Sequence, residues 1–231
     1  MAVAIVTGAS RGLGLALARS LAADGWSLVL DARGAEALDA VAADLGTAVV
    51  PLPGDVADPA HRAGLIAAAR GLGGLDLLVN NASVLGSEPL LPIAEHPLDG
   101  FRRALEVNVV APLALAQAAL PLLRAAKGAV LNISSDAAVE PYPTWGGYGA
   151  SKAALEQWSA VLATEEPQVR VWRVDPGDMR TAMYRAAVPD DEEEESRPLP
   201  EEEAVPALLA LIGRGPASGR YTVSGLLGDP R

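Results

Sequence analysis

Residues 2–14 read AVAIVTGASRGLG, and the succession of residue types in them decides how the remaining chain is read. Ala2 to Val6 is a short apolar, β-branched run, the pattern of a strand buried on both faces. Thr7-Gly8 ends it. Behind GASRGLG, the stretch LALARSLAADG repeats apolar residues at helical spacing as far as Gly25. Strand, glycine loop and helix in immediate succession are the context in which a glycine motif acquires meaning. The glycines allow a tight turn, a close backbone approach to a ligand and close helix-to-strand packing. The helix behind them turns unpaired N–H groups and its positive end toward the loop, which suits a pyrophosphate. No Gly-Lys-Ser/Thr ending follows, so this is not a triphosphate P-loop. The gap of three residues also comes first, unlike the common G-x-G-x-x-G. Gly8, Ser10, Arg11, Gly12, Leu13 and Gly14 are therefore expected beside a dinucleotide.

Outward from this loop the same alternation continues. Further strands are expected at Ser27–Leu30, Thr47–Leu52, Asp76–Val79, Gly128–Ile133, Val169–Val174 and Gly219–Ser224. Helices are expected at Ala35–Leu45, Pro59–Leu72, Phe101–Ala126 (crossing Pro112), Gly149–Thr164 and Glu203–Ile212. Strands and helices alternating at this pace mean βαβ units with right-handed crossovers. The expected fold is α/β: a doubly wound Rossmann fold whose seven-stranded parallel sheet carries helices on both faces. No repeat or linker interrupts the series, so residues 1–231 are expected to form one domain. The block DDEEEESRPLPEEE, Asp190 to Glu203, is too charged to pack and is expected as a mobile surface loop.

Composition narrows the function classes. The 231 residues are half apolar and one fifth charged, an ordinary globular balance, with a formal net charge of −11. That charge argues against nucleic acid or an anionic membrane as partner. The absence of cysteine removes disulfide and thiolate chemistry and leans toward a cytoplasmic location. The two histidines, His61 and His96, stand near prolines in polar surroundings and are expected at the surface; no metal site is expected. The opening MAVAIVTGAS has no basic n-region and too short an apolar run for a signal peptide or a membrane span.

Two further stretches carry chemistry. LVLDAR at 28–33 falls where a dinucleotide's adenosine ribose is met. Asp31 can take a free 2′-hydroxyl, whereas Arg33, joined by Arg11, can hold a 2′-phosphate. Two cations outweigh one acid that an alternating strand can turn away, which favours NADP(H) over NAD(H). Downstream, SSDAAVEPYPTWGGYGASK runs from Ser134 to Lys152. If the chain turns helical at Tyr148, Lys152 lies on the same face, about 5–6 Å away between Cβ atoms. A cation there lowers the phenol's pKa and suits it to proton exchange.

In this company the chain resembles the short-chain dehydrogenase/reductase family, in its compact single-domain branch. The likeness covers nearly the whole length. It rests on TGASRGLG, Asp55-Val56, Asn80-Asn81-Ala82, Asn108, Ser135, Tyr148-x-x-x-Lys152, and Asp175-Pro176-Gly177 with Thr181, in the family's order. The resemblance implies a nicotinamide-dependent oxidoreductase. It implies that Asp55 meets the adenine amino group, with the Val56 backbone beside it, and that Asn81 lies against the adenosine ribose. Pro176, Gly177, Met179 and Thr181 would border the nicotinamide. Ala32, before Arg33, is not an acid, as in NADP(H)-type relatives. Tyr148 would be the general acid or base. Lys152 would lower its pKa and bind the nicotinamide ribose, and Ser135 would hold the substrate oxygen. Asn108 would hold a water through its backbone. Ser134 has a weaker claim, its spacing being off by one. Structural roles are also open: Asp55 as a helix N-cap ahead of Pro59, Asn108 as a satisfied polar group in a kinked helix. Ser83 departs from the family, which commonly has glycine there.

The substrate lid of such proteins would run through residues 178–203 here, including Met183 and Tyr184. Glu140, Tyr142, Trp145 and Ser87 are the other expected pocket residues. An acidic lid disfavours acyl-carrier-protein substrates and leaves a small, neutral carbonyl or secondary alcohol as the expected substrate. A cofactor-binding sensor or scaffold without turnover is the alternative from another class. A sugar-nucleotide epimerase would need a larger C-terminal substrate domain. Apolar long helices make a homodimer or homotetramer the expected assembly.

Overall fold

The computed structural model describes residues 1–46 and 48–228; Thr47, where the third strand is expected to begin, lies outside them. In chain order the elements are β1 (Val3–Val6), α1 (Gly12–Ala23), β2 (Ser27–Ala32), α2 (Ala35–Asp44), β3 (Val49–Pro53), α3 (Pro59–Gly71) and β4 (Leu77–Asn80). There follow α4 (Leu98–Leu105), a π-helical turn (Glu106–Val110), α5 (Ala111–Ala126), β5 (Ala129–Ile133), α6 (Gly146–Glu165) and β6 (Arg170–Asp175). The chain ends with α7 (Ala182–Ala187), α8 (Ala204–Arg214), β7 (Gly219–Thr222) and α9 (Val223–Gly228). All seven strands pair in parallel in the order β3-β2-β1-β4-β5-β6-β7. This is the doubly wound Rossmann arrangement read from the sequence. Strand order reverses between β1 and β4, and a crevice opens there at the carboxyl ends of the strands.

The strand sequences read as unbroken apolar runs because both faces are covered. Ala4 and Val6 point into one core with Leu28, Leu30, Leu77, Val79 and Leu131, under α1 and α8. Val3 and Ile5 point into the other with Val29, Leu78 and Val130, under α3, α5 and α6. Alternate side chains thus enter opposite cores. Each buried Leu, Ile or Val contributes about 1.5–3 kcal/mol by leaving water. Residues 98–126 are long and apolar enough to cross a membrane by length and composition, but Leu115, Ala116, Ala119 and Leu123 are buried against the sheet.

Several local expectations are corrected. The expected helix 101–126 begins at Leu98 and contains the π turn, with Pro112 in the first turn of α5. Pro112 needs no N–H donor there, so the chain distorts one turn earlier than the proline itself. The helix carrying Tyr148 begins at Gly146 rather than Gly149. The last strand stops at Thr222 and gives way to α9. His61 and His96 are not surface residues. The His61 side chain is only 10% exposed and its Nε2 lies 2.6 Å from Asp31 Oδ1. His96 is 8% exposed, set edge-on against Phe101 and seated on Gly147, where a Cβ would come within 2.5 Å of its ring. Missing Cβ atoms made room for both rings: His61 likewise sits over Gly54.

The acidic block is not left unpacked either. Arg185 pairs with Glu194 at 2.6 Å, and Arg197 pairs with Asp191 at 3.2 Å and Asp178 at 3.4 Å. The Arg197 guanidinium also lies over the Tyr184 ring, whose hydroxyl donates to Asp191 at 2.7 Å. Arginines spaced through residues 180–197 offset the carboxylates, so the segment folds back on itself and over the crevice.

Candidate active site

A cavity of about 1070 Å³ opens along the carboxyl ends of the strands. At one end lies the glycine loop. Gly8 and Gly12 take positive φ of 67° and 55°, a region in which a side chain is strained. A Cβ on Gly14 would meet the Gly8 carbonyl and lie 2.5 Å from Asn81 Nδ2. Gly14 therefore faces the loop's own backbone rather than the cavity, and lets α1 start hard against β1. Asn81 braces the loop: its Nδ2 donates to the carbonyls of Thr7 at 2.8 Å and Gly8 at 3.3 Å. Thr7 Oγ1 in turn accepts from the backbone N–H groups of Asn81 and Ala82, each at 3.0 Å. Ser10, Arg11, Gly12 and Leu13 line the cavity beside this cradle. A loop kept free of side chains at the positive-φ positions Gly8 and Gly12 and backed by the first turn of α1 fits the pyrophosphate of a dinucleotide.

Arg33, Asp55, Val56 and Asn81 continue the same wall, and Pro176, Gly177, Met179 and Thr181 face them from the loop after β6. The Asp55 carboxylate accepts from the Ala57 N–H at 2.9 Å and from Arg103 at 2.6 Å. Burial raises its pKa, but those two bonds and the charges of Arg103 and Arg33 prevail and lower it. The N-cap of α3 is Asp58, which accepts from the Ala60 N–H; Asp55 is not that cap. Thr181 caps α7, accepting from the Tyr184 N–H at 3.2 Å, and approaches Gly12 across the cavity.

Asp31 also borders the cavity, but its carboxylate is engaged. Besides His61 it accepts from the Gly8 N–H at 3.4 Å, and it is 2% exposed. Burial pushes its pKa up, while His61 and Gly8 pull it back in part. Arg33 and Arg11 are exposed.

At the other end stand Ser135, Tyr148 and Lys152, all in the cavity wall. Ser135 follows β5; its Oγ donates to Asp136 Oδ1 at 3.0 Å and accepts from the Ala137 N–H at 3.1 Å. Tyr148, in the first turn of α6, and Lys152, one turn on, are 7% and 3% exposed. Lys152 Nζ donates to the Ile133 carbonyl at 2.8 Å and lies 5.4 Å from the Tyr148 ring centre.

The electrostatics correct one expectation. In the chain by itself Tyr148 is not lowered but raised: burial pushes its pKa well up, the charges of Asp136 and Asp175 add to this, and a hydrogen bond with Ser83 opposes it. Burial also brings Lys152 down to about 7. An amine half-deprotonated near neutral pH exerts a weak field, so desolvation of the phenol prevails.

Asn108 does not reach the cavity wall. It is 1% exposed inside the π turn and every side-chain position is used. Its Nδ2 donates to the Val84 carbonyl at 2.8 Å and Ser151 Oγ at 2.9 Å; its Oδ1 accepts from the Val84 N–H at 2.9 Å and Ser83 Oγ at 3.2 Å. The side chain thus joins the loop after β4 to α6, and a π turn disturbs the regular carbonyl pattern, as such turns often do at functional sites. Ser134 Oγ donates to Glu156 at 2.6 Å, with Ser134 1% exposed, a structural bond.

Of the expected pocket residues, Tyr142, Trp145, Met183 and Tyr184 line the cavity. Glu140 lies instead on a shallow groove outside it, and Ser87 faces His96 at 3.5 Å. Ser83, Asp136 and Arg103 were not assigned roles by the sequence. Ser83 was visible only as a departure from the family's glycine; Arg103 meets Asp55 from a remote segment, and Asp136 bonds its neighbours Ser135, Ala137 and Tyr142 in a loop whose turn carries no spacing signal.

The short chain dehydrogenase family matches residues 2–192. The serine 3-dehydrogenase of Agrobacterium fabrum is 36% identical over 181 residues, covering 77% of this chain and 72% of the relative. The crystal structure of the KRED1-Pglu enzyme superposes with a TM-score of 0.87 at 35% identity, over 96% of this chain and all of that one. The alcohol dehydrogenase of the archaeon Thermococcus sibiricus, complexed with 5-hydroxy-NADP, gives 0.87 at 27% identity, over 100% and 99%. A glycine cradle and a Ser-Tyr-Lys cluster thus share one crevice in a sheet that superposes along its whole length on such enzymes. This chain belongs to the short-chain dehydrogenase/reductase family of oxidoreductases.

Proposed function

We propose that the protein is an NADP(H)-preferring oxidoreductase that moves hydride between the nicotinamide and a small carbonyl or secondary alcohol. The observation that carries this reading is the convergence of Ser135, Tyr148 and Lys152 on the cavity that holds the glycine cradle. The nicotinamide, when bound, supplies or accepts the hydride. The Gly8–Gly14 loop would hold the pyrophosphate, Asp55 and Val56 the adenine, and Asn81 the adenosine ribose. Pro176, Gly177, Met179 and Thr181 would border the nicotinamide, with Lys152 on its ribose.

The preference for a 2′-phosphate rests on Arg33 and Arg11. Asp31, the acid that would repel it, has its carboxylate occupied by His61 and Gly8. The bound 5-hydroxy-NADP of the Thermococcus sibiricus enzyme supports the same cofactor type.

In the chemistry, Ser135 Oγ holds the substrate oxygen and Tyr148 exchanges a proton with it. A phenol whose pKa is raised by burial keeps its proton at neutral pH. That state suits the general acid of carbonyl reduction. Lys152, at about 7, holds an exchangeable proton close to Tyr148 and can resupply it, with Asn108 maintaining the path beside Ser83 and Ser151. Trp145, Leu85 and Met183 supply apolar walls for a small substrate.

Cofactor oxidation with NADPH and with NADH against ketones, aldehydes and quinones tests this. Turnover with NADPH is expected to exceed that with NADH. Tyr148→Phe is expected to abolish turnover while NADPH still binds. A fully active Tyr148→Phe, or NADPH binding with no oxidation across the panel, overturns the reading.

A further inference from the structure

We propose that Arg220, on the edge strand β7, is a positioning residue for the reaction, one guanidinium setting the spacing of α6, the Ser135 loop and the nicotinamide-side loop after β6. The proposal rests on the roles given above to Ser135 and Tyr148. Arg220 Nε donates to Glu156 Oε1 at 2.9 Å. A terminal guanidinium nitrogen donates to the Ser135 carbonyl at 3.4 Å and approaches Asp175 Oδ2 at 3.5 Å.

Each of these partners belongs to a segment that carries a reacting or cofactor-facing group. Glu156 follows Lys152 by one turn of α6 and also accepts from Ser134 Oγ at 2.6 Å. Ser135 is held by its own carbonyl. Asp175 ends β6, and its Oδ1 accepts from the Gly177 N–H at 3.1 Å, shaping the Pro176-Gly177 turn. A four-residue edge strand needs only its backbone ladder with β6 to stay in the sheet. What the side chain adds is a tie from β7 to α6, which is in no ladder, and to the Ser135 carbonyl, which lies just past the last β5–β6 pair, Ile133 with Val174. A planar guanidinium reaches several acceptors in fixed directions, and an ammonium does not.

Arg220 also governs charge. Glu156 and Asp175 are 8% and 9% exposed, and Arg220 is the cation paired with both. The groups acting on Tyr148 are Ser83, Asp136 and Asp175, with Lys152 beside its ring. Arg173, in register with Arg220 on β6, is the neighbouring cation on the sheet. Without Arg220, the Asp175 carboxylate loses its ion-pair partner and its charge weighs more on Tyr148. The phenol then holds its proton to higher pH.

The test compares Arg220→Lys, Arg220→Gln and the double variant Arg220→Gln/Glu156→Gln with the native chain, using NADPH and the best carbonyl of the panel. With the two single variants kcat is expected to fall roughly 10- to 100-fold, with little change in the KM for NADPH. In Arg220→Gln, which loses the charge, the limb of the kcat profile set by the phenol moves to higher pH; in Arg220→Lys, which keeps it, that limb stays in place. The double variant, relieved of one orphaned carboxylate, recovers thermal stability but not kcat. A merely structural Arg220 gives the opposite result: native kcat and pH profile in Arg220→Gln, or kcat restored with stability in the double variant. Either outcome overturns the proposal. If the native chain turns over no carbonyl, the proposed function fails first. Amide hydrogen exchange over residues 133–138 and 175–181 with NADPH then judges Arg220 alone: faster exchange in Arg220→Gln supports it, unchanged exchange rejects it.

Discussion

Lys152 shows how burial alters the meaning of a motif. Four residues after a tyrosine, a lysine reads as a cation that lowers the phenol. In the folded chain both groups lose water, Lys152 falls to about 7 from 10.5, and Tyr148 rises. The consequence for stability has a definite sign. The unfolded chain binds the Lys152 proton more tightly than the folded one. Below pH 7 both states are protonated and the full burial penalty is present. Between about pH 7 and 10 only the unfolded state keeps the proton, so this group makes stability rise with pH. Above about 10 the unfolded tyrosine ionises before the buried one, and Tyr148 opposes the rise. Lys152→Met should therefore raise the denaturant midpoint of the cofactor-free protein at pH 7 and flatten its rise toward pH 9.5. A midpoint that drops at pH 7 would show that the Lys152–Ile133 bond outweighs desolvation. Ser83 makes the complementary point: a departure from the family's glycine turned out to be a hydroxyl bonded to Asn108 and acting on Tyr148. The sequence showed a Cβ and a hydroxyl at that position but not what the hydroxyl meets.

The first βα unit was legible down to single residues, because each glycine there answers a local need. Gly14 is the strictest. A Cβ at that position would collide with the Gly8 carbonyl and crowd Asn81 Nδ2 at 2.5 Å. Gly14→Ala should cost about 1–3 kcal/mol in stability from overpacking and weaken NADPH binding, because Asn81 and the loop must shift together. Denaturant unfolding with a fluorescence titration of NADPH checks this; native affinity in a destabilised variant would separate packing from the cradle. Other elements were less legible. The acidic block has a composition that reads as unfolded, yet Arg185 and Arg197 are spaced to reach Glu194, Asp191 and Asp178 once the segment turns back. Charge counted along a line misses charge paired across a turn. The π turn at Glu106–Val110 was likewise hidden, since Pro112 drew attention to itself while the distortion fell one turn earlier.

For the whole molecule, the remaining expectation concerns assembly. Val110 and Val161 are each 45% exposed on the long helical arms, a cost in water that a second copy can remove if the contact reaches the size of stable interfaces, about 1200–2000 Å² in total. Light scattering should give twice or four times the chain mass. A monomer at micromolar concentration would reject that assembly, and Val161→Glu should dissociate it. The sequence by itself determined the doubly wound sheet of seven parallel strands and most of the residues that gather in the crevice. These follow from local rules: alternating patterns, glycines without alternatives, and a family's motifs in order. Tertiary structure alone decided the burial of His61 and His96 over missing Cβ atoms, the withdrawal of the Asp31 carboxylate, the raised Tyr148 and the reach of Arg220 across three segments. Each of these depends on which remote groups share a dry environment. Residue spacing along the chain does not encode that; the crossing of strands and helices does.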